Sequence, residues 1–154
     1  MAESELTNMT GTKFDQMKAK YHLIPMDIVH ELYMDRSITS IPPSVKTISE
    51  KIRNKTSLAD EFTFCVKALG GFNSAMNLLA DVYTYGAKIH GDHNWKNLEN
   101  GKDRFYSALM RHIRDWKMGM LMNEEDGGLA VLAQVMFNII AVTYYGEKED
   151  ADTK

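Results

Sequence analysis

The chain is 154 residues long and 44% hydrophobic, enough for one buried core, and nothing in its composition marks a second domain. Its 18 basic and 21 acidic residues give a net charge of -3, which argues against a coat for polymeric nucleic acid but leaves room for a local cationic pocket. The single cysteine, Cys65, excludes a disulfide framework or cysteine-rich zinc site within one chain. MAESELTNMTGTKFDQ lacks the apolar core of a signal peptide, and no run approaches the ~20 apolar residues of a spanning helix. A soluble, cytoplasmic protein without a membrane partner is expected.

Residues 1–13 are small and polar and residues 147–154 are a charge run, so a flexible N-terminus and a flexible acidic tail are expected around one domain at 14–146. In between, apolar residues recur at helical spacing. MDIVHELYMDR, entered through Pro25, places Ile28, Leu32 and Tyr33 on one side and Asp27, Glu31 and Asp35 on another. The turn SITSIPPS breaks it. VKTISEKIRN reads as a short helix capped by Ser44. Thr56 and Ser57 then cap LADEFTFCVKAL, whose Leu58, Phe62, Cys65 and Leu69 share a face before Gly70 and Gly71 end it.

From about Ser74 to Ile89 a helix carries Met76, Leu79, Ala80, Tyr83 and Ala87 on its buried stripe and Asn77, Asp81, Thr84 and Lys88 on a polar one. The loop GDHNWKNLENGK leads to a helix from about Asp103 to Met118 that Gly119 ends. Phe105, Leu109, His112, Ile113, Trp116 and Met120 form its inner side. The last helix, from about Gly128 to Tyr145, is apolar nearly all round and belongs at the centre. With no convincing strand ladder, the predicted fold is all-α, a single-domain helical bundle.

Bundles build sites from polar side chains that face inward. Four groups qualify. Asp81 and Lys88 share a helical side and precede Asp92, His93, Asn94 and Trp95: Asp suits Mg²⁺, Lys and His suit phosphate, and Trp95 either stacks on a base or plugs the core. Arg104 and Arg111, two turns apart, can clamp an anion beside His112 and Asp115, or else be solvated around a core histidine. Glu124, Glu125 and Asp126 either cap the following helix or offer hard oxygens to Mg²⁺. Gln134 and Asn138 are either satisfied by neighbouring backbone or offered to a base edge. No phosphate-cradling GxxxxGK[ST], GxGxxG or HExxH is present, and Cys65 sits in an apolar stripe, so metal-activated water is favoured over a protein nucleophile.

Three blocks, KFDQMKAKYHLIPMDIVHEL, VYTYGAKIHGDHNW, and RFYSALMRHIRDWKMG followed by EEDGGL and FNII, resemble the dATP/dGTP diphosphohydrolases of phages and bacteria, relatives of the MazG-like all-α nucleotide pyrophosphohydrolases. The resemblance implies a homo-oligomer that hydrolyses a nucleoside triphosphate, a purine deoxynucleotide favoured, to the monophosphate and pyrophosphate with Mg²⁺. Through the positions that match, it implies catalytic Lys88, Arg111 and His112, with the nucleotide held by Asn94, Trp95, Arg104 and Asn138; His93 and Gln134 join the expected nucleotide contacts on their own chemistry. The metal would fall to Glu31, Asp81, Glu124 and Asp126.

The chain departs from the family's pattern through an insertion at about 37–75, through Asn77 and Leu78 where carboxylates are expected, and through Val131 and Gln134 where histidine is common. Asp60, Glu61 or Asp81 would then rebuild the metal site. Two alternatives follow: an inactive bundle that sequesters a nucleotide or nucleotide signal, as a phage anti-defence factor would, or a structural protein with no ligand.

Overall fold

A computed structural model describes the backbone of residues 20–34 and 49–152 and the side chains of 20–33 and 58–151. The expected flexible N-terminus, the KFDQMKA part of the first block, Asp35, the SITSIPPS turn, Ser44 with residues 45–48, and the last two residues lie outside the described residues. Among the described residues the fold is all-α apart from one two-stranded β-pair.

A short 3-10 turn at Tyr21–Leu23 leads to α1, Met26–Val29, which continues as a π turn over His30–Met34. Leu23, Ile24, Ile28, Val29 and Leu32 are all buried, as the apolar side of MDIVHEL requires. Thr84 ties this segment down: its Oγ1 accepts the Lys20 N–H at 2.7 Å and donates to the Ala80 carbonyl at 2.7 Å.

Helix α2 is one continuous element, Ser49–Ala68, which corrects the expected break at Thr56 and Ser57. Both residues stand inside the helix, because cap-forming residues end a helix only where the chain leaves it. Its C-terminus is as expected. Gly70 adopts φ +97°, the Gly71 N–H reaches the Val66 carbonyl at 2.9 Å and the Gly70 N–H reaches that of Lys67 at 3.1 Å. This pair of hydrogen bonds closes the helix through a residue that only glycine fits without strain.

Helix α3, Phe72–His90, buries Met76, Leu79, Ala80 and Tyr83. After a 3-10 turn at Asn94–Asn97 comes α4, Gly101–Lys117, with Leu109 buried and Phe105, His112, Ile113 and Trp116 half-buried. Met120 does not belong to that inner side; it is 43% exposed, since the chain has left the helix after Met118. Strands β1, Met122–Asn123, and β2, Leu129–Ala130, pair antiparallel around a 3-10 turn at Glu124–Asp126. Two-residue strands carry no readable alternation, so this small ladder leaves no signal in the sequence.

Helix α5 runs Val131–Asp152, starting later than the expected Gly128 because residues 129–130 pair as a strand. It also continues seven residues past Tyr145, through most of the segment expected as an acidic tail. Its central place is confirmed. Met136, Ile139 and Ile140 have no exposure at all and join Phe62, Val66 and Leu79 in one core. Burying each such side chain contributes about 1.5–3 kcal/mol. Cys65, 1% exposed with its thiol pKa pushed up to about 12 by burial, is core filling and no nucleophile. No helix among the described residues is long and apolar enough to cross a membrane.

Candidate functional site

Where α3, α4 and α5 diverge, a cavity of about 460 Å³ opens. The length of α3 from Val82 to His90 forms one wall, α4 from Arg104 to His112 a second, and Gln134, Phe137 and Asn138 of α5 the floor. The loop at His93–Trp95 and the turn at Asp126 close its ends. A cavity of this size suits a ligand of nucleotide dimensions.

Trp95 settles the open question about its role in favour of an anchor that also faces the cavity. Its half-buried indole meets Tyr83, Phe137 and Tyr144 edge-on, with centroids 6.2, 6.0 and 5.1 Å away. Its carbonyl accepts the Tyr145 hydroxyl at 2.6 Å, and the same hydroxyl accepts the Leu98 N–H at 3.0 Å. One phenol from α5 therefore pins both ends of the loop. His93 starts the 3-10 turn in the left-handed region at φ 58° and, with Asn94, lines the cavity from its exposed rim.

Arg104 and Arg111 both line the cavity, so the two-turn spacing does bring their charges to one space. His112 lies beside them. Burial lowers its pKa from 6.5 and Arg111 adds to that, while Asp126 and Asp115 pull the other way. The folded chain therefore binds fewer protons at His112 than the unfolded chain does as pH falls through 6.5, and stability declines in that direction. Thermal midpoints are expected to drop between about pH 7.5 and pH 5.5, and His112→Asn to flatten that drop. An equally steep profile in the variant would assign the loss to other groups.

Among the described residues, Asp126 is the one carboxylate that reaches the cavity lining. Its Oδ2 accepts Gln134 Nε2–H at 2.8 Å and Asn123 Nδ2–H at 3.0 Å, and Asn123 also donates to Gln134 Oε1 at 3.2 Å. Gln134 thus has both ends of its amide engaged, the NH2 on the Asp126 carboxylate and the oxygen on the Asn123 amide. Asn138 donates to the Gln134 carbonyl of its own helix at 2.7 Å. Of the two alternatives for these amides, a bond to neighbouring backbone describes the Asn138 NH2 group, whereas Gln134 is satisfied by the side chains of Asp126 and Asn123.

Other expected site residues lie elsewhere. Lys88 and Asp81 are exposed on the far stripe of α3 and do not line the cavity, although partial desolvation raises the Asp81 pKa. Glu124 is exposed at the turn, and Glu31 sits half-buried on the π turn with interactions of its own. Asp60 and Glu61 are exposed on α2. At the departures, Val131 is fully buried, Leu78 packs on a small cluster with Val82 and Ala133, and the Asn77 side-chain oxygen accepts the Tyr21 hydroxyl. Among the described residues no group of three or more His, Cys, Asp or Glu side chains converges to hold a metal. Tyr83, Phe137 and Asn123 were not expected at the site: the first two read as ordinary core positions, and only Asn123, next to the acidic turn, carried a local signal.

A family model described as "dATP/dGTP diphosphohydrolase, N-terminal" matches residues 59–154, more than half of the chain. The match takes in every residue lining the cavity except Leu23, and also residues 59–75 of the segment read as an insertion. No curated protein and no solved structure matches.

Proposed function

Because the chain belongs to the dATP/dGTP diphosphohydrolase family, a family of nucleotide hydrolases, we propose that it cleaves a purine deoxynucleoside triphosphate to the monophosphate and pyrophosphate in the α3–α4–α5 cavity. The observation that carries this reading is that one cavity combines two arginines, a neutral-leaning histidine and a tethered carboxylate with an aromatic floor. Arg104 and Arg111 neutralise the triphosphate and the pyrophosphate that leaves. His112, which burial favours in its neutral form, takes a proton from the attacking water, and the Asp126 charge supports the imidazolium that results. His93 and Asn94 meet the nucleotide from the rim.

Hydrolases of this kind typically use a divalent metal. The donors here do not fit a resident ion held by protein alone: among the described residues one carboxylate lines the cavity, and its Oδ2 already accepts two hydrogen bonds. Mg²⁺ enters this reading as part of the substrate, on the phosphates of the nucleotide.

The test is pyrophosphate release from a panel of ribo- and deoxyribonucleoside triphosphates, with the Arg104→Ala, Arg111→Ala double variant as control. Turnover of purine deoxynucleotides that the control lacks is expected. The double hydrogen-bond load on Asp126 favours a second reading, a protein that sequesters a nucleotide without cleaving it. Stoichiometric binding with no pyrophosphate would select that reading, whereas no thermal stabilisation by any nucleotide would remove both. A homo-oligomer is also proposed, supported by the exposed apolar run of Met118, Met120, Leu121 and Met122. Light scattering that finds only monomer would dismiss it.

A further inference from the structure

Among the described residues, three buried side-chain polar atoms have no hydrogen-bond partner: Tyr83 Oη, Trp95 Nε1 and His112 Nδ1. All three residues line the same cavity. Buried polar groups are nearly always paired, so three orphans on one set of walls point to a ligand that completes them. His112 already has a place in the proposed chemistry. Tyr83 and Trp95 do not.

The two rings are neighbours, 6.2 Å apart at 66°, and both stand edge-on to Phe137 on the cavity floor, at 4.9 and 6.0 Å. Tyr83 is 3% exposed, and burial keeps its phenol protonated by raising its pKa well above 10.0. Its hydroxyl can donate or accept, whereas the indole N–H can only donate. Gln134, whose amide could read adenine through N6 and N7, is engaged by Asp126 and Asn123.

Resting on the hydrolase reading above, we propose that Tyr83 and Trp95 read the base. The Trp95 indole N–H donates to the purine N7, and the Tyr83 hydroxyl meets the substituent at C6. Guanine and adenine both present N7 as an acceptor, but at C6 one carries a carbonyl and the other an amine. A donor-only side chain at C6 would reject one of them. A hydroxyl turns to suit either, so the cavity takes both purines, and pyrimidines, which lack N7, leave the indole N–H unpaired.

The experiment is calorimetric titration of the full chain with α,β-methylene analogues, which resist cleavage, of dGTP, dATP, their 7-deaza forms, dCTP and the deoxynucleotide of unsubstituted purine. The wild-type chain is expected to bind the 7-deaza forms about tenfold more weakly than the parents, the cost of one unpaired buried donor. Trp95→Phe is expected to bind parent and 7-deaza forms alike. That ratio is taken within one variant, so general weakening from a loosened loop does not disturb it. Tyr83→Phe is expected to lose about tenfold for guanine and adenine and nothing for unsubstituted purine. Equal binding of parent and 7-deaza forms by the wild-type chain, or discrimination that survives in Trp95→Phe, would overturn the proposal. Failure of the wild-type chain to bind any nucleotide would overturn the hydrolase reading and this proposal together, an outcome distinct from binding without discrimination.

Discussion

Replacing Asp126 with asparagine is expected to lower the rate of pyrophosphate release by about a hundredfold while leaving nucleotide affinity unchanged or tighter. Asp126 is half-buried, and its carboxylate is oriented by the Gln134 and Asn123 amides at 2.8 and 3.0 Å. Asparagine keeps one oxygen to accept those donors, so the turn at Glu124–Asp126 has no large reason to rearrange. What disappears is the charge. Asp126 is the first of the influences that raise the His112 pKa against the effect of burial, so its loss makes His112 a weaker base. The triphosphate, itself anionic, gains from the removal of a neighbouring negative charge. Single-turnover release and equilibrium titration separate the two effects. An unchanged rate would remove Asp126 from the chemistry, and a parallel loss of rate and affinity would make it a binding group. Arg111→Ala is the contrasting case, since loss of a phosphate clamp weakens binding as well as turnover.

The second large effect concerns stability. Gly101→Ala is expected to destabilise the fold by about 3 kcal/mol, near the upper end of overpacking costs, and to lower Tm by about 10 °C. Helix propensity alone predicts the opposite sign, because alanine is favoured over glycine within helices by about 1 kcal/mol. Packing decides. A Cβ on Gly101 would stand 2.6 and 2.7 Å from Cε2 and Cε1 of the Tyr145 ring, closer than carbon atoms approach. That ring cannot swing away cheaply: it is 7% exposed, stacks on Phe105 at 5.9 Å, and its hydroxyl holds Trp95 and Leu98. Because the same ring pins the cavity's loop, the variant should also bind nucleotide more weakly at temperatures where it remains folded. Thermal denaturation checks the first effect, and a Tyr145→Leu background should relieve part of it. A Tm within a degree of the parent would show that α4 and α5 can separate at little cost.

Much of this molecule was legible before any coordinates. Period-3.6 patterning located the apolar faces of α1, α3 and α4, apolar residues nearly all round marked α5 as central, and the glycines after Ala68 and Lys117 marked two helix ends, because these signals are local. The spacing of Arg104, Arg111 and His112 likewise put three side chains on one helix side, where the cavity takes them. The same logic failed for Asp81 and Lys88. Periodicity says that two residues share a side of a helix, not which side meets the neighbouring helices, and theirs meets solvent.

What the sequence by itself determined is the all-α character, the sides of its helices and the family to which the chain belongs. Tertiary structure alone decided that α2 runs unbroken, that Gln134 orients Asp126, that Trp95 is an anchor with a free N–H, and that Tyr83 and Phe137 surround a cavity rather than a solid core. The physical reason is range. Helix patterning is written within a few residues, whereas a cavity is a mismatch among three packed helices. Whether a buried polar atom finds a partner depends on residues as distant as Trp95 and Tyr145, whose separation in sequence carries no periodic signal.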